Sequence, residues 1–150
     1  MIRERLAGDL KEAIKAQDAV RVSTLRLVSA AIKDRDIAAR TEDTEGVTDG
    51  DILAILAKMI RQREESAVIY EQAGRLDLSS RERAEIVVLQ GYLPKQMTER
   101  EVDQAVAAAI EATGAASIRD MGKVMAVLKE RHTGRMDFAR ASATVKQAFN

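Results

Sequence analysis

The side chains best suited to chemistry in this sequence are basic and lie near its carboxyl end. Arg119 and Lys123 are four residues apart, which would place them on one face of a helix, and further cations follow around the next turn and helix. Lys and Arg neutralise phosphates, and such contacts dominate affinity for nucleic acids. We therefore predict an RNA-binding patch formed by Arg119, Lys123, Lys129, Arg131, His132, Arg135, Arg140 and Lys146.

The groups needed for catalysis or metal binding are few. His132 is the only histidine and there is no cysteine, which removes two-histidine metal sites and a cysteine nucleophile. At a helix end a histidine also serves simply as a cation that suits the helix dipole. Glu82 and Glu85 share a helix face but lack a partner histidine, so a solvated surface explains them better than a di-metal site. No phosphate-loop, dinucleotide, hydrolase or zincin motif occurs. We expect no catalytic residue, metal or cofactor, and hence no enzyme.

The few aromatic residues restrict the kind of nucleic acid that the patch would bind. The sequence has two Phe, two Tyr and no Trp, too few for a platform on which unpaired bases stack. Folded RNA is read mostly by shape and backbone contacts. Structured RNA is therefore the expected ligand.

Charge is distributed unevenly, although the whole chain has a net charge of zero. The net charge is +3 over residues 1–40, −5 over 41–94, −2 over 95–114 and +4 over 115–150. The basic ends agree with RNA binding. The acidic middle supports an alternative, a protein-interaction module that docks a basic, translation-related partner through the helix from Thr48 to Ala73.

Helix formers dominate the composition, and apolar residues recur at helical spacing, so we predict an all-α protein. The first helix is expected from Ile2 to Ala16, with Ile2, Leu6, Leu10 and Ile14 on one face. Asp18 caps a second helix to about Ala39, and the polar stretch 40–46 follows it. Thr48 with Asp51 caps a third helix that Gly74 ends. Ser79 with Glu82 caps a fourth, which stops before the single proline, Pro94.

Pro94 marks the predicted boundary between a helical bundle, residues 1–94, and a small three-helix domain, residues 95–150. Thr98 with Glu101 caps the first helix of this domain, Ser117 with Asp120 begins the second, and Asp137 caps the third. Gly114 and Gly134 stand where helices usually end.

A cytoplasmic location is expected from the composition. The chain has no cysteine, begins with the charged segment Ile2-Arg3-Glu4-Arg5, and contains no apolar run near the roughly 20 residues of a membrane span. No membrane association is predicted.

Several segments in order along the chain resemble the GatB/YqeY family. They are Arg21-Val22-Ser23-Thr24-Leu25-Arg26-Leu27, Gln62-Arg63-Glu64-Glu65-Ser66, Ala73-Gly74-Arg75-Leu76-Asp77-Leu78, Glu85-Ile86, Tyr92-Leu93-Pro94, Asp120-Met121-Gly122-Lys123-Val124-Met125 and Gly134-Arg135-Met136-Asp137. The resemblance covers nearly the whole chain, although Met136 stands where the family often has a small residue.

The resemblance implies an amino-terminal bundle joined to a domain similar to the tail of the B subunit of the tRNA-dependent amidotransferase. That tail helps to hold tRNA, while catalysis occurs elsewhere in the enzyme. The family name is associated with carbon-nitrogen ligase activity, but this chain lacks the kinase-like and amidase parts that the reaction needs. The implied function is a tRNA-binding accessory module that works with an aminoacyl-tRNA synthetase or an amidotransferase.

Overall fold

The computed structural model describes residues 1–42 and 46–150, and helices joined by short loops are the regular secondary structure found there. No strand occurs among these residues, so the all-α prediction is confirmed. In chain order the elements are α1 (Ile2–Lys15), α2 (Ala19–Thr41), α3 (Asp49–Gln72), α4 (Leu76–Gln90), α5 (Glu99–Thr113), a 3-10 helix (Ile118–Asp120), α6 (Met121–His132) and α7 (Phe138–Ala148).

Side-chain caps explain where most of these helices begin. Asp18 accepts a hydrogen bond from the backbone N–H of Arg21 at the start of α2, and Asp137 accepts one from Ala139 at the start of α7. Thr48 with Asp51 and Thr98 with Glu101 form complete capping boxes at α3 and α5. Each cap supplies an acceptor to N–H groups that the first helical turn leaves unpaired. These four predicted caps are confirmed.

The chain divides into two compact units, Met1–Leu93 and Pro94–Asn150. The first unit contains α1 to α4. Its core is built from aliphatic side chains on all four helices, and Tyr92 closes it after α4. The largest fully buried side chains there are Leu25, Val28, Ile52, Leu56 and Leu89.

The second unit has a separate and smaller core between α5, α6 and α7. Its buried residues are Val106, Ala109, Val124, Leu128, Met136, Ala141 and Val145. Met136 is 3% exposed, so its long side chain fills this core rather than covering the turn before α7. The loop after Pro94 is tied to that turn, since Met97 donates its backbone N–H to the carbonyl of Arg135 at 2.9 Å.

One predicted helix start is wrong. The fourth helix begins at Leu76, with Arg75 as its N-cap, and not at Ser79. Ser79 is buried inside the helix and donates its hydroxyl to the carbonyl of Leu76 at 3.1 Å. Gly74 adopts a left-handed conformation that ends α3 and lets α4 start almost at once, so the Ser79–Glu82 pattern falls within the helix.

The predicted apolar face of α1 is also partly wrong. Leu6 is buried and Leu10 half-buried, but Ile14 is 48% exposed and Ala13 takes the buried position. A spacing of four advances about 40° beyond a full turn at each step, so the face has rotated away from the core by the end of the helix.

Two other boundaries differ from the prediction. The second helix runs two residues beyond Ala39, to Thr41, while residues 43–45 of the predicted polar break lie outside the described residues. Ser117 caps the 3-10 helix by accepting a hydrogen bond from the N–H of Arg119, and Asp120 accepts one from the N–H of Ala116 at 3.0 Å. The segment predicted to start the α-helix therefore forms the 3-10 helix, and α6 begins at Met121.

Candidate functional site

Four of the predicted RNA contacts, Lys123, Lys129, Arg131 and His132, lie on α6, whose inner face is fixed by the buried residues Val124 and Leu128. Lys123, Lys129 and Arg131 are all exposed. At about 100° per residue, Arg131 lies about 80° to one side of Lys123 and Lys129 about 120° to the other. Lys123 and Lys129 therefore lie on the outward side of the helix, with Glu130 between them, whereas Arg131 shares the face of Val124 and is exposed in the last turn.

These three cations are also unpaired. Within the described ranges, no carboxylate comes within 4 Å of the charged nitrogens of Lys123, Lys129 or Arg131. Lys123 acts on Asp120 only at longer range, where its charge helps hydrogen bonds from Ala116 and Ser117 to lower the pKa of that carboxyl. Their positive charge is thus available to an external anion.

Arg119 and Lys146 are exposed as well but belong to other elements. Arg119 lies in the 3-10 helix, whereas Lys123 lies in α6. The prediction that their spacing of four places both on one face of a continuous α-helix is therefore wrong. Lys146 lies in the last turn of α7.

Arg135 and Arg140 are engaged within the protein. The Nε of Arg135 donates to the carbonyl of Lys95 at 3.2 Å, and its Nη2 lies 4.0 Å from Glu101. Arg140 lies 3.9 Å from Asp137. Arg135 therefore helps to hold the loop after Pro94 against the turn before α7, which makes it a structural residue as well as a potential contact.

His132 closes α6 and is half-buried. Its Nδ1 is buried, and no hydrogen-bond partner for it is found among the described residues. Only part of the ring is open to a ligand, so the structure places His132 at the edge of the exposed cations rather than among them.

A groove in the first unit was not predicted from the sequence. It has a volume of about 440 Å³ and lies between the amino-terminal half of α2, the carboxyl-terminal half of α3 and α4. Each helix contributes side chains at helical spacing: Ser23 and Leu27 from α2, Gln62, Arg63, Ser66 and Tyr70 from α3, and Leu78, Arg81, Glu82 and Glu85 from α4. Most of these residues belong to the segments that carry the family resemblance, which was the signal available in the sequence.

A buried ion pair forms the floor of this groove. The Nε of Arg63 donates to Glu85 at 2.9 Å, and the two side chains are 13% and 10% exposed. The Nη1 of Arg63 donates to the carbonyl of Met59 at 3.3 Å, while Arg81 approaches the other oxygen of Glu85 at 3.8 Å. A buried charge requires such compensation.

Three acids in the middle of the chain, Glu71, Asp77 and Glu85, are paired with arginines of the same segment. Glu71 pairs with Arg83 at 2.8 Å, and Asp77 with Arg75 at 3.1 Å. The hydrogen bond from Arg83 lowers the pKa of Glu71, and that from Arg75 lowers the pKa of Asp77. Together with Glu85, these acids are satisfied within the fold, which leaves less free negative charge for a basic partner than the sequence suggested.

Neither a metal cluster nor a membrane span is seen in the parts of the chain that the structure describes. No group of three His, Asp or Glu residues there is placed to hold a metal ion. No helix among residues 1–42 and 46–150 is long and apolar enough to cross a bilayer.

Comparison with known proteins gives one family and a set of fungal relatives. Residues 3–149 match the family of Yqey-like proteins. The relatives carry the name altered inheritance of mitochondria protein 41, mitochondrial. The protein from Pyrenophora tritici-repentis is 31% identical over 87% of this chain and 73% of its own length. Those from Lachancea thermotolerans and Kluyveromyces lactis are 33% and 36% identical, over 67% and 58% of this chain.

The chain spans only about half the length of most of these relatives, 54% for the Lachancea protein and 45% for the Kluyveromyces protein. Their names as mitochondrial proteins contradict the predicted cytoplasmic location. That prediction was wrong because a lack of cysteine shows only that no disulfide is needed, and does not distinguish one reducing compartment from another.

The family resemblance seen in the sequence segments is confirmed by these matches. Since the family match covers nearly the entire chain and the Pyrenophora relative is aligned over most of its own length, the chain belongs to the family of Yqey-like proteins.

Proposed function

We propose that this protein is a tRNA-binding accessory module whose second unit, residues 94–150, holds the phosphate backbone of folded RNA. The observation that carries the proposal is the set of exposed, unpaired cations on α6: Lys123, Lys129 and Arg131. Charged side chains without internal partners release counterions when they meet phosphates, and this release drives binding. Arg119 and Lys146 extend the same positive surface onto neighbouring elements.

Backbone recognition fits the composition of this unit. Its two aromatic residues, Phe138 and Phe149, both pack against the core, so neither offers an open ring for base stacking. The resemblance to the tail of an amidotransferase B subunit supports tRNA as the RNA. In this proposal the chain has no catalytic activity of its own and presents tRNA to an aminoacyl-tRNA synthetase or an amidotransferase.

The test is binding of purified tRNA across a series of salt concentrations, with total and mitochondrial tRNA as separate probes because the relatives are named as mitochondrial. The variant changes Lys123, Lys129 and Arg131 to Ala. Arg135 is left intact, since its contacts with Lys95 and Glu101 hold the fold. Each lost phosphate contact should reduce the salt slope by somewhat less than one, so we expect a slope shallower by about 2 to 3 and a large loss of affinity at low salt.

A matched control removes the same charge from the first unit by changing Lys11, Lys33 and Lys58 to Ala. These lysines are exposed, and no ion pair is found for them in the described residues. The control should retain both affinity and salt slope. Absence of tRNA binding at low salt, or an equal loss in both triple variants, would refute the proposal.

A further inference from the structure

The groove in the first unit has the features of a binding site that the proposed RNA function does not use. Its volume of about 440 Å³ lies within the range of sites for small ligands and peptide side chains. Along α3 the lining residues Gln62, Ser66 and Tyr70 are each four apart, so the groove follows that helix for about 12 Å. It is open to solvent, since Leu27 on one wall is 46% exposed and the Arg81 side chain on another is 68% exposed.

Arg63 supplies unused hydrogen-bond donors at the floor. An arginine has five N–H donors. One is used on Glu85 and one on the carbonyl of Met59, and no acceptor for the other three is found in the described part of the chain. A largely buried guanidinium with spare donors favours a ligand that brings an acceptor.

The charge of the lining selects the type of acceptor. The groove contains two cations, Arg63 and Arg81, and two anions, Glu82 and Glu85, so its formal charge is zero. A ligand carboxylate would leave a net negative charge beside the half-buried Glu82, whereas an uncharged carbonyl or amide would not. Gln62, Ser23 and Ser66 offer further neutral donors and acceptors along the walls.

The walls also provide an apolar contact surface. Leu27, Tyr70 and Leu78 come from three different helices and meet at this groove. Burial of a branched aliphatic side chain against them would remove apolar surface of both partners from water. An amide backbone beside an aliphatic side chain is the chemistry of a peptide.

We propose that this groove is a docking site for a peptide segment of a partner protein, in which a leucine-like side chain packs on Leu27, Tyr70 and Leu78 and an uncharged backbone or side-chain amide accepts from Arg63. The site is separate from the cations of the second unit and does not depend on RNA binding.

The experiment uses the full chain and three minimal probes that share the leucine side chain and differ in the charge and structure of their end groups: N-acetyl-leucinamide, N-acetyl-leucine and leucinamide with a free ammonium group. Binding is followed by amide chemical shifts in NMR spectra at millimolar probe concentrations. We expect shifts centred on the groove residues, with N-acetyl-leucinamide binding several-fold more tightly than either charged probe. No localised shifts, or tighter binding of the carboxylate probe, would overturn the proposal.

Two substitutions on α2 make a matched pair for this test. Leu27→Asn removes the apolar wall, while Ile37→Asn makes a similar change at a residue that is 53% exposed and does not line the groove. The first should weaken binding of N-acetyl-leucinamide by about tenfold and the second should leave it unchanged. Equal binding by the two variants would contradict the proposal.

The role of Arg63 requires a variant that does not strand a buried charge. The double change Arg63→Met with Glu85→Leu removes the ion pair together with the spare donors, a type of replacement that folded proteins often tolerate. Thermal denaturation verifies that it folds. The double variant should bind N-acetyl-leucinamide several-fold more weakly because the donors of Arg63 are lost, and unchanged binding of this probe would show that Arg63 is not the donor.

Discussion

The arginines that line the helix contacts of the first unit and the cations of α6 in the second unit use their charges in different ways. In the first unit several arginines are held by carboxylates of the same unit, including Arg3 by Asp36 at 2.9 Å, Arg83 by Glu71 and Arg63 by Glu85. In the second unit Lys123, Lys129 and Arg131 of α6 are exposed, and no such partner is found for them among residues 1–42 and 46–150. Paired charges join helices to each other, whereas unpaired charges remain available to a ligand. Net charge along the sequence is therefore a poor guide to which surface is electrostatically active.

The largest effect should come from breaking the buried pair of the first unit. Arg63→Ala leaves Glu85 as a buried carboxylate whose remaining counter-ion is the exposed Arg81 at 3.8 Å, so we expect a loss of about 3 kcal/mol in the free energy of unfolding, measured by urea denaturation. The double change Arg63→Met with Glu85→Leu should recover most of this loss. If Arg63→Ala were as stable as the unaltered protein, the pair would not be an essential internal contact and the contrast between the units would weaken.

The second effect concerns Tyr92, which closes the first core. Burial, together with the hydrogen bond that its hydroxyl donates to Asp9 at 2.5 Å, raises the pKa of Tyr92 to about 12. An unfolded tyrosine has a pKa of about 10, so this contribution to stability is complete below about pH 10 and is lost as the pH rises to about 12. The stability advantage over Tyr92→Phe should therefore shrink across that interval.

Denaturation at a series of alkaline pH values measures the difference in stability between the protein and Tyr92→Phe. Tyr70→Phe is the control, since it removes a phenol that lines the groove and does not close the core. A constant difference between the protein and Tyr92→Phe from neutral pH to about pH 12 would show that the phenol proton is not held by the fold.

A smaller change in stability is expected from the glycines with positive φ that follow a helix in each unit. Gly74 and Gly114 follow helices in the first and second unit with φ of 74° and 66°, and a methyl group added at either would meet no atom within 4 Å. Gly→Ala at each position should lower the free energy of unfolding by about 1 kcal/mol, because alanine is disfavoured in the left-handed backbone conformation. Thermal denaturation of the two variants should give similar losses.

The control for these glycines is Gly→Ala at Gly8 in α1 and Gly122 in α6, which have ordinary helical positions and equally open surroundings. Those two changes should stabilise the protein by up to about 1 kcal/mol. A loss of stability at Gly74 and Gly114 with a gain at Gly8 and Gly122 would support an effect of backbone conformation. A loss at all four positions would indicate that packing, rather than backbone conformation, determines the change in stability.

The smallest effect separates paired from unpaired surface cations. Arg83→Ala should slightly lower the melting temperature, and the loss should fade at high salt because the contact with Glu71 is screened. Lys129→Ala should have a smaller effect, since that lysine has no ion pair in the described residues and interacts only with the dipole at the end of α6. Equal sensitivity of the two variants would remove the distinction between the units.

The helices could be predicted from the sequence because caps and helical periodicity depend on residues close together in the chain. Thr48, Thr98 and Asp137 start their helices as predicted, and the segments that carry the family resemblance correctly identified the family. A local pattern failed where the backbone around it changed, as at Ser79, where the left-handed Gly74 let the helix begin earlier.

Which charges are paired, and which side chains are in contact, became apparent from the three-dimensional arrangement of the helices. Arg63 and Glu85 are 22 residues apart, and Ser23, Ser66 and Leu78 converge on one groove from three helices. Ion pairing depends on distances of a few ångströms between helices, and a sequence specifies these only through the packing of the whole core. For the same reason Arg135 and Lys123 were equally good candidates for phosphate contacts in the sequence, while the fold holds Arg135 against Lys95 and Glu101 and leaves Lys123 exposed.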